Sequence, residues 1–177
     1  MKEERFGAVH IYCGDGKGKT TCGIGLCLRA AGAGRRVLIY QFMKDNASSE
    51  RQILKTIPGI TLLDGFQEEK FSFQMTEEEK AQRRAYYGKK LQEVFTMAGT
   101  SYDLLFLDEV VYTVREGLLQ EKLLLDCLDK KPEELEVVMT GQDPDEELLR
   151  RADYVTKMQK IRHPYDQGLC ARKGIEY

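Results

Sequence analysis

The residues best equipped for chemistry lie in CGDGKGKTTCG (13–23), where glycines alternate with Asp15 and Lys17 ahead of Gly18-Lys19-Thr20-Thr21. Glycines let backbone N–H groups turn inward around an anion, and a helix opening at Lys19 adds the positive end of its dipole. The spacing follows GxxxxGK[ST] from Gly18 onward, with Cys13 in the place of the first glycine. In that pattern Lys19 reaches phosphate oxygens and the Thr20 hydroxyl ligates Mg²⁺. Lys17 brings a second cation, which favours a polyphosphate chain over a single phosphate. The candidate phosphate-binding residues are therefore Gly14, Asp15, Gly16, Lys17, Gly18, Lys19, Thr20 and Thr21.

A second group of candidates ends LLFLDE (104–109), where four apolar residues deliver Asp108 and Glu109. Either carboxylate can hold Mg²⁺ directly or through water. The alternative is an acidic pair that caps a following helix; beside the glycine loop the metal reading is favoured further, so Thr20, Asp108 and Glu109 form the candidate metal set. TGQD (140–143) superficially resembles the [NT]KxD element that reads guanine, but Gly141 stands where the lysine should, so a strand-ending turn is expected and a GTPase is disfavoured. Lys44, just after an apolar segment, is a candidate for ligand contact against plain solvation. His10 reads as a packed, hydrogen-bonded residue and His163, before Pro164, as part of a turn.

The elements that must position these residues alternate in type. Apolar runs at 8–13, 36–42, 60–64, 103–109, 135–141 and 154–161 read as strands. Helices are expected from 19 to 32, across SSERQILKTI, from MTEEEKAQ onward, at EKLLLDCLDK and at DEELLRR. Thr76 with Glu79 predicts a capping box for the long one. Near-continuous apolar strands between helices predict an α/β protein: a three-layer P-loop NTPase-like fold with a mainly parallel sheet. Such sheets bind ligands beyond the carboxyl ends of their strands, where the glycine loop, Gln41 to Lys44, Asp108-Glu109 and Thr140-Gly141 all fall.

Bulk properties narrow the class. A chain of 177 residues predicts one domain, 1–177, able to bury a core without disulfides. Five cysteines with no CxxC pair suit a reducing cytosol. A formal net charge of -2 argues against a nucleic-acid or membrane partner. The charged start MKEERFG and the lack of any apolar run near ~20 residues predict a cytoplasmic protein.

Several stretches together resemble the P-loop type of ATP:corrinoid adenosyltransferase, which acts on cob(I)yrinic acid a,c-diamide or cob(I)alamin. They are GDGKGKTT with LRAAGAGRRVL, QFMK with Glu50, LFLDEVVY, VVMTG, and RADYVTKMQKIRHPYDQGLCARKGIEY, in the family's order. The closing HP-aromatic-x-x-G…A-x-x-GIEY pattern is the most specific, since generic P-loop enzymes lack it. The resemblance implies ATP, Mg²⁺ and a corrinoid co-substrate, with Co(I) attacking the ribose 5′ carbon while tripolyphosphate leaves. The loop would then grip the leaving group, giving Lys19, Thr20 and Glu109 the catalytic roles and Lys17 and Lys44 supporting ones. It further implies that Phe71 and Phe73 of KFSFQMT lie against the corrin face, where the family often has tryptophan at the second position. Two core aromatics are the alternative. Gln142 stands where arginine is common. A reductase supplying Co(I) and a homodimer are implied as partners. With only twelve residues ahead of Cys13, no N-terminal lid over a neighbouring subunit is expected.

Two other functions fit the same residues. In a small ATPase or kinase, Asp108 would hold Mg²⁺ and Glu109 would activate water or a hydroxyl. A nucleotide-gated corrinoid carrier would use the same loop without turnover.

Overall fold

The computed structural model describes residues 7–66 and 72–176. Six strands form one sheet: β1 (Val9–Cys13), β2 (Val37–Gln41), β3 (Ile60–Leu62), β4 (Leu104–Asp108), β5 (Glu136–Thr140) and β6 (Tyr154–Lys157). Their order is β3-β2-β4-β5-β1-β6, and every neighbouring pair runs parallel. Helices α1 (Lys19–Gly32), α2 (Glu50–Leu54), α3 (Glu77–Ser101), α4 (Val110–Arg115), α5 (Glu121–Lys130) and α6 (Glu146–Arg151) provide the connections.

The period-two alternation of strand side chains sorts the core into two layers. Val37, Ile39, Leu104, Phe106 and Val138 pack with Cys27 and Ala30 of α1 and Leu54 of α2. Leu38, Tyr40, Leu105, Leu107, Val137 and Met139 face the other way, onto Leu91, Val94 and Ala98 of α3 and Leu124 and Leu128 of α5. Both faces of β2 and β4 are buried throughout, which is why these segments read as unbroken apolar runs. The first layer is thin at one point: a Cβ on Gly23 would lie 2.4 Å from the Phe106 ring. Glycine there lets α1 settle on β4 and brings its N-terminus over the strand ends.

Element boundaries follow the expectations at α1, α5 and the start of α3, where the Thr76–Glu79 capping box forms with both reciprocal bonds. Other bounds are shorter than expected: β3 ends at Leu62 and α2 spans only Glu50–Leu54. Val110–Arg115, rich in β-branched residues and without an expected element, is a helix; Glu109 turns the chain with φ 59, and Val110 and Val111 are buried. Tertiary burial overrides a weak local preference. The last strand ends at Lys157 rather than at 161, because the chain bends away after Met158 donates to Cys13 O and crosses the glycine loop.

Candidate functional site

Four strand ends align at one edge. Gln41 pairs in register with Asp108, and Tyr12 with Thr140. The glycine loop leaves β1 at the same level and closes into α1, whose first four N–H groups lack intrahelical acceptors. No side chain caps that terminus, and its first turn carries no acid. An anion is the natural partner for such an end.

Within the loop, Lys19 is buried and its ammonium donates to Gly14 O and Gly16 O, both at 2.8 Å. The lysine thus braces the loop it belongs to. The Gly16 N–H does not turn toward an anion; it donates to Met158 O at 2.8 Å. A Cβ at Gly16 would lie 2.8 Å from that carbonyl oxygen, so only glycine admits the crossing segment. Asp15 accepts from Lys160 N at 2.9 Å, turning its carboxylate to the same segment. Lys17 pairs with Glu176 at 2.9 Å, and Arg172 donates to Glu176 as well. These donors hold the Glu176 carboxyl well below its usual range, at about 2, led by the hydrogen bonds from Arg172 and Lys17.

Asp108 is the hub of the site and is fully buried. Its Oδ1 accepts from Thr20 Oγ1 at 2.9 Å and Thr140 Oγ1 at 2.7 Å. Its Oδ2 accepts from Lys44 Nζ at 2.6 Å and Gln41 Nε2 at 3.2 Å. Thr140 accepts in turn from the Glu109 N–H at 2.8 Å, which fixes the turn that presents Glu109. Burial raises the Glu109 pKa, the Asp108 charge raises it further, and Lys44 and Lys19 oppose the shift. That pattern puts Glu109 in the same electrostatic cluster. For Lys44 burial works against the charge, but Asp108, Glu50 and Glu109 win and the net shift is upward, so the ammonium is held charged.

A hydroxyl bonded to a buried carboxylate, with a second carboxylate close by, is a set of hard oxygen donors that suits Mg²⁺. Among the described residues no group of three or more His, Cys, Asp or Glu is arranged to hold a metal. Mg²⁺ does not need one, because it keeps waters and takes phosphate oxygens as ligands. Thr20, Asp108 and Glu109 are therefore brought together, with Lys19 and Lys44 beside them. A cleft of about 440 Å³ opens from this cluster, lined by Thr20, Thr21, Ile24, Lys44, Ser48, Ser49, Glu50, Gly174, Ile175 and Glu176.

Of the corrin-facing candidates, Phe71 lies outside the described residues. Phe73 sits in a 3-10 turn (Ser72–Gln74) and is 80% exposed, so it is no core aromatic. Ser72 anchors this turn by donating to Glu116 at the end of α4. TGQD ends β5 as expected: Thr140 serves Asp108, while Gln142 and Asp143 accept from Arg115. His10 is bonded to Glu136 and stacked on Tyr154, and His163 caps a 3-10 turn through its own Nδ1.

The sequence placed Gln41 and Thr140 at the binding edge without giving either a partner; Arg51 and the site roles of Glu50 and Glu176 were not assigned from it. The Gln41 amide is oriented by Arg51, which donates to its Oε1 at 2.8 Å and leaves Nε2 for Asp108 and for Glu50 at 3.0 Å. Arg51, 3% exposed, is held by Leu63 O and Asp64. A buried arginine in a short helix is the one signal that could have pointed to this chain of bonds.

Fold and site together define an α/β protein with a P-loop sequence at the start of α1. The sequence model of the family described as ATP:corrinoid adenosyltransferase BtuR/CobO/CobP matches residues 5–177, and the chain belongs to that family. The corrinoid adenosyltransferase of Escherichia coli (strain K12) is 30% identical over 180 residues, covering 99% of this chain and 88% of the relative. Corrinoid adenosyltransferase CobA of Salmonella typhimurium (strain LT2) is 31% identical with the same coverage of 99% and 88%. Among solved structures, AMPPCP-bound DnaA from Aquifex aeolicus overlaps 96% of this chain and 49% of its own, with a TM-score of 0.47 and 15% identity.

Proposed function

We propose that this protein transfers the 5′-deoxyadenosyl group of ATP to the Co(I) centre of a corrinoid substrate and releases tripolyphosphate. The observation that carries the reading is the meeting of two distant parts of the family pattern: Gly174, Ile175 and Glu176 of the closing GIEY line the same cleft as Thr20 and Thr21 of the phosphate loop. A generic phosphoryl-transfer enzyme has no use for that closing segment.

The transfer forms a Co–C5′ bond from the cobalt electron pair and breaks the C5′–O bond. The bonding pair of C5′–O leaves on the triphosphate oxygen, and cobalt ends two oxidation levels higher. No proton moves, so the protein needs neither a nucleophile nor a base of its own. Its work is to hold the leaving chain and align the sugar carbon. The free N–H groups at the start of α1, the Lys19 ammonium and Lys17 are the donors for that chain. Lys19 would leave Gly14 O and Gly16 O for phosphate oxygens, and Lys17 would exchange Glu176 for the same chain. Thr20, Asp108 and Glu109 would hold Mg²⁺, which supplies further positive charge to the departing oxygens. Met158, Lys160 and Glu176 bond the loop at Gly16, Asp15 and Lys17, so the closing segment would help to shape it around the leaving chain. Phe73, presented at the surface, suits contact with an apolar corrin face. Because Co(I) is the attacking species, an electron donor that reduces the corrinoid must act first.

The test is an anaerobic reaction with ATP, Mg²⁺ and chemically reduced corrinoid. A light-sensitive Co–C product formed in equal amount with tripolyphosphate is expected. ADP and orthophosphate as the only products would overturn the reading and support an ATPase.

A further inference from the structure

The Lys44 ammonium lies among oxygen atoms that would serve a metal ion better than an amine. Nζ is 2.6 Å from Asp108 Oδ2, 3.5 Å from Thr20 Oγ1 and 3.7 Å from Glu50 Oε1. One cation thus stands between two carboxylates and the hydroxyl of the phosphate-loop threonine. Gln41 holds the two carboxylates together from the other side, donating to both through the nitrogen that Arg51 has oriented. The arrangement is built for positive charge whether or not Lys44 supplies it.

We propose that Lys44 is a resident stand-in for the divalent cation: its ammonium holds the place in the nucleotide-free protein and yields it when the metal arrives with the nucleotide. The proposal rests on the reading that a divalent cation accompanies ATP here, and it adds Glu50 to the residues that cation meets. A buried Asp108 without a counter-charge would be strongly unfavourable, so the resting site needs a cation. A divalent ion bound to Asp108 Oδ2 at about 2.1 Å would stand beside an ammonium 2.6 Å from the same oxygen, and the two cations repel. Metal binding is favoured when Lys44 leaves.

The surroundings let Lys44 do so without disturbing the fold. Its backbone is pinned on the preceding residues: Phe42 N donates to Asp108 O, and Met43, in a left-handed turn with φ 51, donates its N–H to Tyr87 Oη. The movable part is the four-carbon stem, which lines the cleft beside Thr20 and Thr21. Swung into that cleft, the ammonium meets the incoming phosphates. Metal and nucleotide are thereby coupled: the metal alone must evict Lys44 into water, whereas with a polyphosphate present the lysine gains a new anionic partner.

The experiment titrates Mn²⁺ into the full-length protein without nucleotide or corrinoid, reading free Mn²⁺ by electron paramagnetic resonance. Lys44→Met is expected to bind Mn²⁺ about tenfold more tightly than the wild type, within the usual range of coupling between sites. Lys44→Gln keeps a hydrogen-bond donor opposite Asp108 and guards against a folding defect, and it is expected to behave the same way. Wild-type affinity for Mn²⁺ is expected to rise when tripolyphosphate is added, and that rise is expected to shrink in both variants. A folded variant that binds Mn²⁺ no more tightly than the wild type overturns the proposal. No corrinoid is present, so failure here leaves adenosyl transfer standing, and failure of adenosyl transfer leaves the metal titration valid.

Discussion

At the scale of residues, the site is an account of how buried charge is satisfied. Asp108 has four donors on its two oxygens, one each from α1, β2, the turn after β2 and β5. Lys19 solves the opposite problem, spending its protons on carbonyls of its own loop. Those bonds have neutral acceptors, and a triphosphate would replace them with stronger charge-assisted ones. Substituting Lys19 by Ala should therefore lower the adenosylation rate by about a hundredfold, as loss of one donor to developing negative charge generally does. Initial rates with saturating ATP and reduced corrinoid measure this; an unchanged rate would remove Lys19 from the machinery. The lysine, threonine and carboxylate pair were legible because short patterns carry them. The partners of Gln41 and Thr140, which the sequence placed only at the binding edge, and the part played by Arg51 were not, because each depends on residues elsewhere in the chain.

At the scale of elements, the parallel register does the positioning. The β2–β4 pairing sets Gln41 opposite Asp108, and the β1–β5 pairing sets Thr140 beside the loop strand. The far end of the sheet has its own fastening. Glu136, at the start of β5, accepts from Gly7 N at 2.8 Å, Ala8 N at 2.9 Å and His10 Nε2 at 2.5 Å. Burial alone would raise its pKa, but the His10 and backbone hydrogen bonds outweigh it and hold the carboxyl below its ordinary 4.5. A carboxylate with a depressed pKa in the folded state supports the fold above its unfolded value and ceases to as pH falls through the folded one. Glu136→Gln is therefore expected to lose on the order of 1 kcal/mol at pH 7. The gap to wild type should close progressively as pH drops below 4.5. Urea unfolding of both proteins across that range reads it out. The opening of α3 was legible from Thr76 and Glu79 because a capping box is local. The helix α4 was not, since Val110, Val111 and Thr113 favour strand by themselves and become helical where the Glu109 turn drops them into the core.

At the scale of the whole molecule, residues 158–176 close onto the glycine loop. Met158 and Lys160 bond the glycine loop through Gly16 and Asp15, and Glu176 reaches Lys17. Ending the chain after Lys157 should leave the six-stranded sheet intact, since β6 is complete there. It should weaken ATP binding by roughly tenfold, the effect of losing one or two hydrogen bonds that shape the loop. Titration with a fluorescent ATP analogue, alongside a far-ultraviolet circular dichroism spectrum, separates loop damage from unfolding.

The sequence by itself determined the alternation of elements, the phosphate loop, the acidic strand end and the family pattern, because each is written in residues near one another along the chain. Only the tertiary structure decided that Gly16 serves Met158, that Lys44 sits between Asp108 and Glu50, and that the closing Gly174–Glu176 borders the cleft at Thr20 and Thr21. These are contacts whose partners are chosen by strand register and by the burial of charge. Both depend on which segments become neighbours, and no local stretch of residues contains that information.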